Sequence, residues 1–366
     1  MPQPASRRAA LAGLGALAAA LGAGTRGATA APPSAPASGL PDSGLPAPQR
    51  SGAWPRAEHS TPSPSTSATD ERPLAEALAI PASTASIALW GSSSMEGGLG
   101  AEHTPRPVYI HDELVLTVNP LPVFNVAYGA QWSNHTTLLR GLDTPVVRLP
   151  AGYSGGKVPV QVQTDAAALW TFTCAGQIEG GPHGTLTGSA EHQWFFEADV
   201  QDTGNWATTG RFVSDWKART EDSRHVIWTG KNNIGDLSRV NADVDALVKA
   251  ARNPEADAIV LGQWVTRNDL AHPRKIANVH QANRVQGERY GRRFIDVQDI
   301  LTSEAGLTAD PIWDLGLMSD QETQKEREQG IVPTPLRGTD GIHLSGWGNL
   351  LVAWALIDRM KELRWL

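Results

Sequence analysis

From residue 74 onward, five short apolar runs punctuate the chain: Ala85–Trp90 (ASIALW), Val123–Ala127 (VFNVA), His225–Thr229 (HVIWT), Ala258–Gly262 (AIVLG) and Arg293–Asp296 (RFID). Runs this short, bounded by glycine and polar clusters, read as strands buried on both faces. Helix-period segments lie between them. Val240, Val244, Leu247 and Val248 fall on one helical face, as do Leu350, Trp354 and Ile357. Strands that alternate with helices imply a mainly parallel sheet, because each strand needs a crossover and both sheet faces need cover. The expected fold class is α/β, a three-layer α/β/α sandwich. Residues of about 144–216 break the rhythm: Lys157–Gln163 (KVPVQVQ) alternates with period two, Trp170–Thr173 is strand-like, and Trp194-Phe195-Phe196 follows a glycine-rich turn region. That pattern predicts an antiparallel, β-rich insertion.

The first 73 residues obey other rules. Ser6-Arg7-Arg8 opens an Ala/Gly/Leu run over Ala9–Ala23, and Ala28-Thr29-Ala30 supplies small residues for cleavage. This is the order of a secretory signal peptide over residues 1–30. The adjacent arginines and Leu11 point to the twin-arginine route, although Ala10 stands where a Phe is usual. Residues 31–73 are rich in Pro, Ser, Ala and Thr, too poor in apolar surface to offset their ordering entropy, and read as a disordered linker. The folded domain is expected over 74–366, outside the cell. No apolar stretch reaches spanning length. Lys+Arg 31 against Asp+Glu 38 gives a charge of −7, without the basic clusters that a nucleic-acid partner requires. The one cysteine, Cys174, excludes a disulfide framework and reads as a buried, inert thiol. His103, His111 and His135 are scattered without ligand spacing, so no metal and no cofactor is expected.

In an open parallel sheet, ligands sit at the carboxyl ends of the strands. Three runs lead straight into small, polar loops: Gly91-Ser92-Ser93-Ser94-Met95-Glu96-Gly97, Tyr128-Gly129-Ala130-Gln131 and Gly230-Lys231-Asn232-Asn233. A fourth cluster, Asp340-Gly341-Ile342-His343, precedes the last amphipathic helix. One rim therefore collects a serine, backbone amides, an asparagine and an Asp/His pair. Acyl transfer needs these groups. A serine hydroxyl becomes a nucleophile when a base takes its proton, and an imidazole held by a carboxylate is such a base. The oxyanion needs donors placed in advance, each worth about 3–4 kcal/mol in the transition state.

On these four loops the chain resembles the SGNH (GDSL-like) hydrolase superfamily, whose blocks carry Ser, Gly, Asn and His in this order. GSSSMEG (91–97) resembles GDSxTEG, GKNN (230–233) resembles GxND, and DGIH (340–343) resembles DxxH. The resemblance implies a flavodoxin-like hydrolase fold, a Ser93 nucleophile, His343 as base, Asp340 as its orienting acid, and an oxyanion hole from the Ser93 amide, Asn232 and block II. In NVAYGAQ (125–131), either Ala130 or Gly129 fills the glycine position of that block. Ser92 replaces the usual block I aspartate. The implied activity is a metal-independent esterase, lipase, thioesterase or deacetylase.

The expected substrate is a short-chain ester, with acetylated polysaccharide favoured by the export signal, the β-rich segment and 13 Trp against 6 Phe and 4 Tyr. Trp132 and Trp264 follow a block II loop and a strand, and are candidates for the cleft wall, with core packing as the alternative. Trp194-Phe195-Phe196 reads as a small local core, and Glu322–Glu328 (ETQKERE) as a solvated helix face or part of a mobile segment over the site. Competing readings are a lipase, thioesterase or acyltransferase on the same fold, and a non-catalytic carbohydrate-binding protein, motivated by Ser92 and Ala130. A glycosidase would need two carboxylates across a cleft, whereas Asp340 is committed to His343 and only Glu96 lies close to a block.

Overall fold

A computed structural model of the protein describes residues 86–201 and 206–366. The expected leader and linker lie outside the described residues. Five strands form a wholly parallel sheet: β1 (Ile87–Gly91), β2 (Val123–Asn125), β9 (Arg224–Trp228), β10 (Ala258–Leu261) and β11 (Phe294–Ile295). Their spatial order is β11-β10-β9-β1-β2. Each overlaps an expected apolar run, with its ends shifted by one or two residues. The order reverses at β1, which lies between β2 and β9. In such sheets ligands usually bind beyond the strand ends at a reversal of this kind.

Alternation along the strands divides the core. Ile87, Leu89, Val226, Trp228, Ile259 and Leu261 face one side, where α2 (Ile110–Val118), α7 (Val297–Thr302) and α10 (Gly346–Glu362) contribute Ile110, Leu114, Leu301, Val352 and Leu356. Ala88, Trp90, Ile227 and Val260 face the other, against α3 (Ser133–Leu139) and α5 (Leu237–Lys249), through Leu138, Leu139, Val244 and Leu247. Helices thus cover both faces. The α5 face follows the expected spacing. On α10 the buried residues are Leu351, Val352, Leu356, Ile357 and Met360, while Trp354 is exposed. Of the expected stripe Leu350–Trp354–Ile357, only Ile357 lies in the core.

The segment expected as a simple β-rich insertion is a closed barrel of six antiparallel strands, β3 (Val146–Arg148), β4 (Gly156–Gln163), β5 (Thr173–Ile178), β6 (His183–Gly188), β7 (Trp194–Ala198) and β8 (Thr209–Ser214). In sequence it falls between β2 and β9. β8 pairs with β3 to close the ring, so no strand edge is left open. Val147, Cys174, Ile178, Leu186, Phe196 and Phe212 are buried in it. The Trp170–Thr173 expectation is corrected: the strand starts at Thr173, and Trp170 sits in a turn, half exposed. Burial pushes the Cys174 thiol up to about 12, and Ser214 Oγ, which accepts from Cys174 Sγ, donates to the Leu139 carbonyl at 2.7 Å, joining barrel to α3.

Candidate active site

β1 ends on Gly91, where a Cβ would stand 2.6 Å from the Trp228 carbonyl oxygen and 2.9 Å from Met95 Cβ. Only glycine lets β1 run this close to β9 and turn at once into the short helix α1 (Ser93–Glu96). Ser93 therefore opens a helical turn at the strand's carboxyl end. Its amide, like those of any first turn, has no acceptor within the helix. The Ser92 carbonyl accepts from the Met95 and Glu96 amides, and the Ser92 side chain is buried beside the turn without capping it.

The Asp340–His343 turn meets this serine. Its root is a bridge between Arg337 and Leu344, and the Gly338 amide donates to the His343 carbonyl at 2.8 Å. His343 Nε2 lies 2.7 Å from Ser93 Oγ, and His343 Nδ1 lies 2.6 Å from Asp340 Oδ2. The other carboxylate oxygen accepts from the Ile342 and His343 amides at 2.8 and 3.0 Å. Burial alone would raise the Asp340 carboxyl, but the ring and the two amides outweigh it and hold it at about 2. Asp340 is thus a carboxylate throughout the physiological range, able to hold the imidazole with Nδ1–H inward and Nε2 facing the serine.

The block II loop stands on the other side of Ser93. A Cβ built on Gly129 would be 3.9 Å from Ser93 Cβ and 3.2 Å from Glu96 Oε2, so the Gly129 backbone borders the serine. Ala130, next along, is exposed and has φ +61°, in the left-handed region that disfavours a Cβ. Asn232 belongs to the loop beyond β9 and donates from Nδ2 to the Gln131 carbonyl at 2.9 Å. One of its two amide hydrogens is committed there, which sets the plane of the side chain beside block II. Of the sequence-derived residues, Ser93, His343 and Asp340 form a continuous hydrogen-bonded line, Gly129 adjoins it, and Asn232 joins through Gln131.

The two tryptophan candidates part company. Trp132 is 38% exposed at the start of α3. Trp264 is 2% exposed with its ring centroid 5.0 Å from that of Trp228, so it belongs to the core rather than to a cleft wall. The Glu322–Glu328 run is helical, with Glu322, Lys325 and Glu328 exposed as expected, but not all of it is solvated. It forms α9 (Gln321–Glu328), whose Glu326 is buried and accepts from Arg337 Nη2 at 2.6 Å and from the Thr334 amide at 2.6 Å. A charged run read as solvated thus supplies the anchor beneath the Asp340–His343 turn.

Several site residues have no motif to announce them. Asn125 donates to the Met95 carbonyl and accepts from the Ala127 amide, tying α1 to block II. Glu102 accepts from the Thr339 amide and hydroxyl at 2.7 and 2.9 Å, clasping the turn next to Asp340. Asn268 donates to the Asp340 carbonyl at 3.2 Å, and its neighbour Asp269 accepts from Lys231 Nζ at 2.7 Å. Burial would raise the Asp269 carboxyl, yet the Lys231 ammonium and the Thr266 amide and hydroxyl hold it below the ordinary range.

Cavities of about 420 and 450 Å³ lie elsewhere, the first lined by residues such as His280, Arg284 and Asp296, the second by Asp143, Thr164, Asp165 and Arg239. Neither includes Ser93, Gly129, Asn232 or His343. The rim around the serine is open: Gly98, Ala130, Trp132, Asn232 and Ile342 are all exposed. Among the described residues, no helix is long and apolar enough to cross a membrane.

No protein-family model matches this chain, and no curated protein does. Among solved structures it is similar to the lipase/acylhydrolase from Enterococcus faecalis, at 9% identity and a TM-score of 0.36, over 76% of this chain and 96% of that one.

Proposed function

We propose that the protein is an exported serine hydrolase of carboxylic esters, with an SGNH-like site. The observation that carries the reading is the line Asp340–His343–Ser93, with contacts of 2.6 and 2.7 Å. Ser93 Oγ attacks the ester carbonyl while its proton passes to His343 Nε2. Asp340 stays ionised and stabilises the imidazolium. The amides of Ser93 and Gly129 and the Asn232 side chain receive the oxyanion, and the neighbouring Ala130 amide is the alternative to that of Gly129. His343 returns the proton to the leaving alcohol, and water repeats the sequence on the acyl-enzyme.

The open rim around Ser93 supports a short acyl group on a bulky alcohol, since a long chain gains its binding energy by leaving water. The exposed Trp132 beside block II offers a flat surface to a sugar ring, which favours an acetylated polysaccharide. Export rests on the charged, apolar and small-residue order of the first 30 residues. An ester panel from p-nitrophenyl acetate and acetyl xylan to long-chain acyl glycerols tests the reading. The expected result is turnover that falls with acyl length and is abolished by Ser93→Ala and by His343→Ala in folded protein. Full activity in either variant refutes the assignment, and preference for long chains refutes the substrate class.

A further inference from the structure

The two oxyanion loops interlock through Ser133, Asn233 and Asp243. Ser133, the first residue of α3, follows the Gly129–Trp132 loop and is fully buried. Its amide donates to Asn233 Oδ1 at 3.0 Å, and Asn233 Nδ2 donates back to Ser133 Oγ at 2.9 Å. The Ser133 hydroxyl in turn donates to Asp243 Oδ2 at 2.6 Å, on the buried face of α5. Arg239 Nε holds the same carboxylate at 3.0 and 3.1 Å, and Arg239 Nη1 reaches Asp165 in the β4–β5 connection of the barrel at 2.9 Å. One residue away, Asn232 bonds to the Gln131 carbonyl. Gln131 and Ser133 thus alternate with Asn232 and Asn233 in a double clasp.

We propose that Ser133, Asn233 and Asp243 are positioning residues that set the spacing between the Gly129 and Asn232 oxyanion donors. The inference rests on the hydrolase reading above and assigns to these residues a role acting through Asn232. Donor and acceptor counts support it. With its hydrogen committed to Asp243, Ser133 presents one donor, the amide, and one acceptor, Oγ. Only a carboxamide offers an acceptor and a donor side by side to match. An aspartate at 233, as in the GxND pattern, would set an oxygen against that lone pair and force the hydroxyl to abandon Asp243. The carboxylate at 243 therefore dictates the amide at 233. Displacing a donor by a fraction of an ångström to an ångström costs up to about a hundredfold in rate.

This polarity can be reversed. Asn233→Asp is expected to lower kcat on p-nitrophenyl acetate by about 10–100-fold with KM nearly unchanged, and to weaken an alkylboronic acid, which forms a tetrahedral adduct on the serine, in parallel. The double variant Asn233→Asp/Asp243→Asn lets the Ser133 hydroxyl donate to residue 233 and accept from the residue 243 NH2, while Oδ1 of residue 243 keeps the Arg239 Nε bond. It is expected to recover kcat to within about tenfold of wild type and above the single variant. Ser133→Ala, which keeps the amide bond to Asn233, is the second probe should Asn233→Asp not fold, with kcat down about tenfold. A merely structural role would lower the melting temperature without moving the boronate affinity. Wild-type kcat and boronate affinity in folded Asn233→Asp or Ser133→Ala, or a double variant no better than the single, overturn the proposal. If Ser93→Ala measured alongside keeps full activity, it is the hydrolase reading itself that fails.

Discussion

Replacing Asp340 by Asn isolates the role of one carboxylate while preserving its shape. In the wild type, Asp340 Oδ1 accepts two backbone amides and Oδ2 accepts the His343 ring. The amides cannot turn, so an asparagine keeps its carbonyl oxygen toward them and presents its NH2 to His343 Nδ1. An NH2 only donates. Nδ1 must then accept, the ring proton moves to Nε2, and the atom 2.7 Å from Ser93 Oγ loses its lone pair. The expected loss is about 10³–10⁴ in kcat, equivalent to about 4–5.5 kcal/mol of transition-state stabilisation, with KM unchanged. Initial rates on p-nitrophenyl acetate measure it. Stability gives a second readout. Because the folded carboxyl is held at about 2, below its ordinary value, it stabilises the fold at neutral pH and loses that contribution as pH falls from about 4 to 2. With 27% of the side chain facing water, the contribution is on the order of 1 kcal/mol. The melting-temperature gap between wild type and Asp340→Asn should close across that window. A variant within tenfold of wild-type kcat, or one whose defect lies in KM, refutes the reasoning.

Other expectations follow from single contacts. Ala130→Gly removes the left-handed strain at φ +61°, about 1–2 kcal/mol, against an unfolded-state entropy cost of about 0.4–1 kcal/mol, so denaturant titration should show a net gain of roughly 0.5–1 kcal/mol; a loss of stability refutes the strain argument. Glu326→Gln leaves the Arg337 guanidinium buried without its charge partner, their side chains being only 3% and 7% exposed. It should cost about 3–5 kcal/mol in guanidinium unfolding, and a change below about 1 kcal/mol counts against the anchor. His183, bonded to Asp215 at 2.9 Å and Asp199 at 2.6 Å, has its pKa raised by those two carboxylates. The stabilisation is therefore complete below the ordinary histidine pKa of about 6.5 and disappears as pH rises through the raised value. The melting-temperature gap between wild type and His183→Gln should follow that course, and a gap that widens with pH contradicts it.

Much of the architecture was legible in one dimension. Short apolar runs alternating with helical spacing predicted a parallel sheet, and the five strands lie where the runs do. The candidate site could be read as well, because Ser93, Asn232, Asp340 and His343 occupy small, polar loops at strand ends or before a helix, where chain geometry leaves few other places for them to go. The reading failed where a residue's setting depends on a distant segment. Trp264 and Trp132 both follow strand ends, yet only the packing of Trp228 against the former decides that one is core and the other surface. Glu326 is indistinguishable from its charged neighbours until the chain brings Arg337 beneath it. Closure of the barrel depends on β8 finding β3, more than fifty residues earlier. The choice of an amide at 233 makes sense only once α5 has delivered a carboxylate to Ser133. Periodicity and strand-end chemistry are local properties of the chain, so the sequence determined the layers and the candidate reacting groups. Burial and donor–acceptor polarity depend on partners about ten to more than a hundred residues away, and the tertiary structure alone decided them.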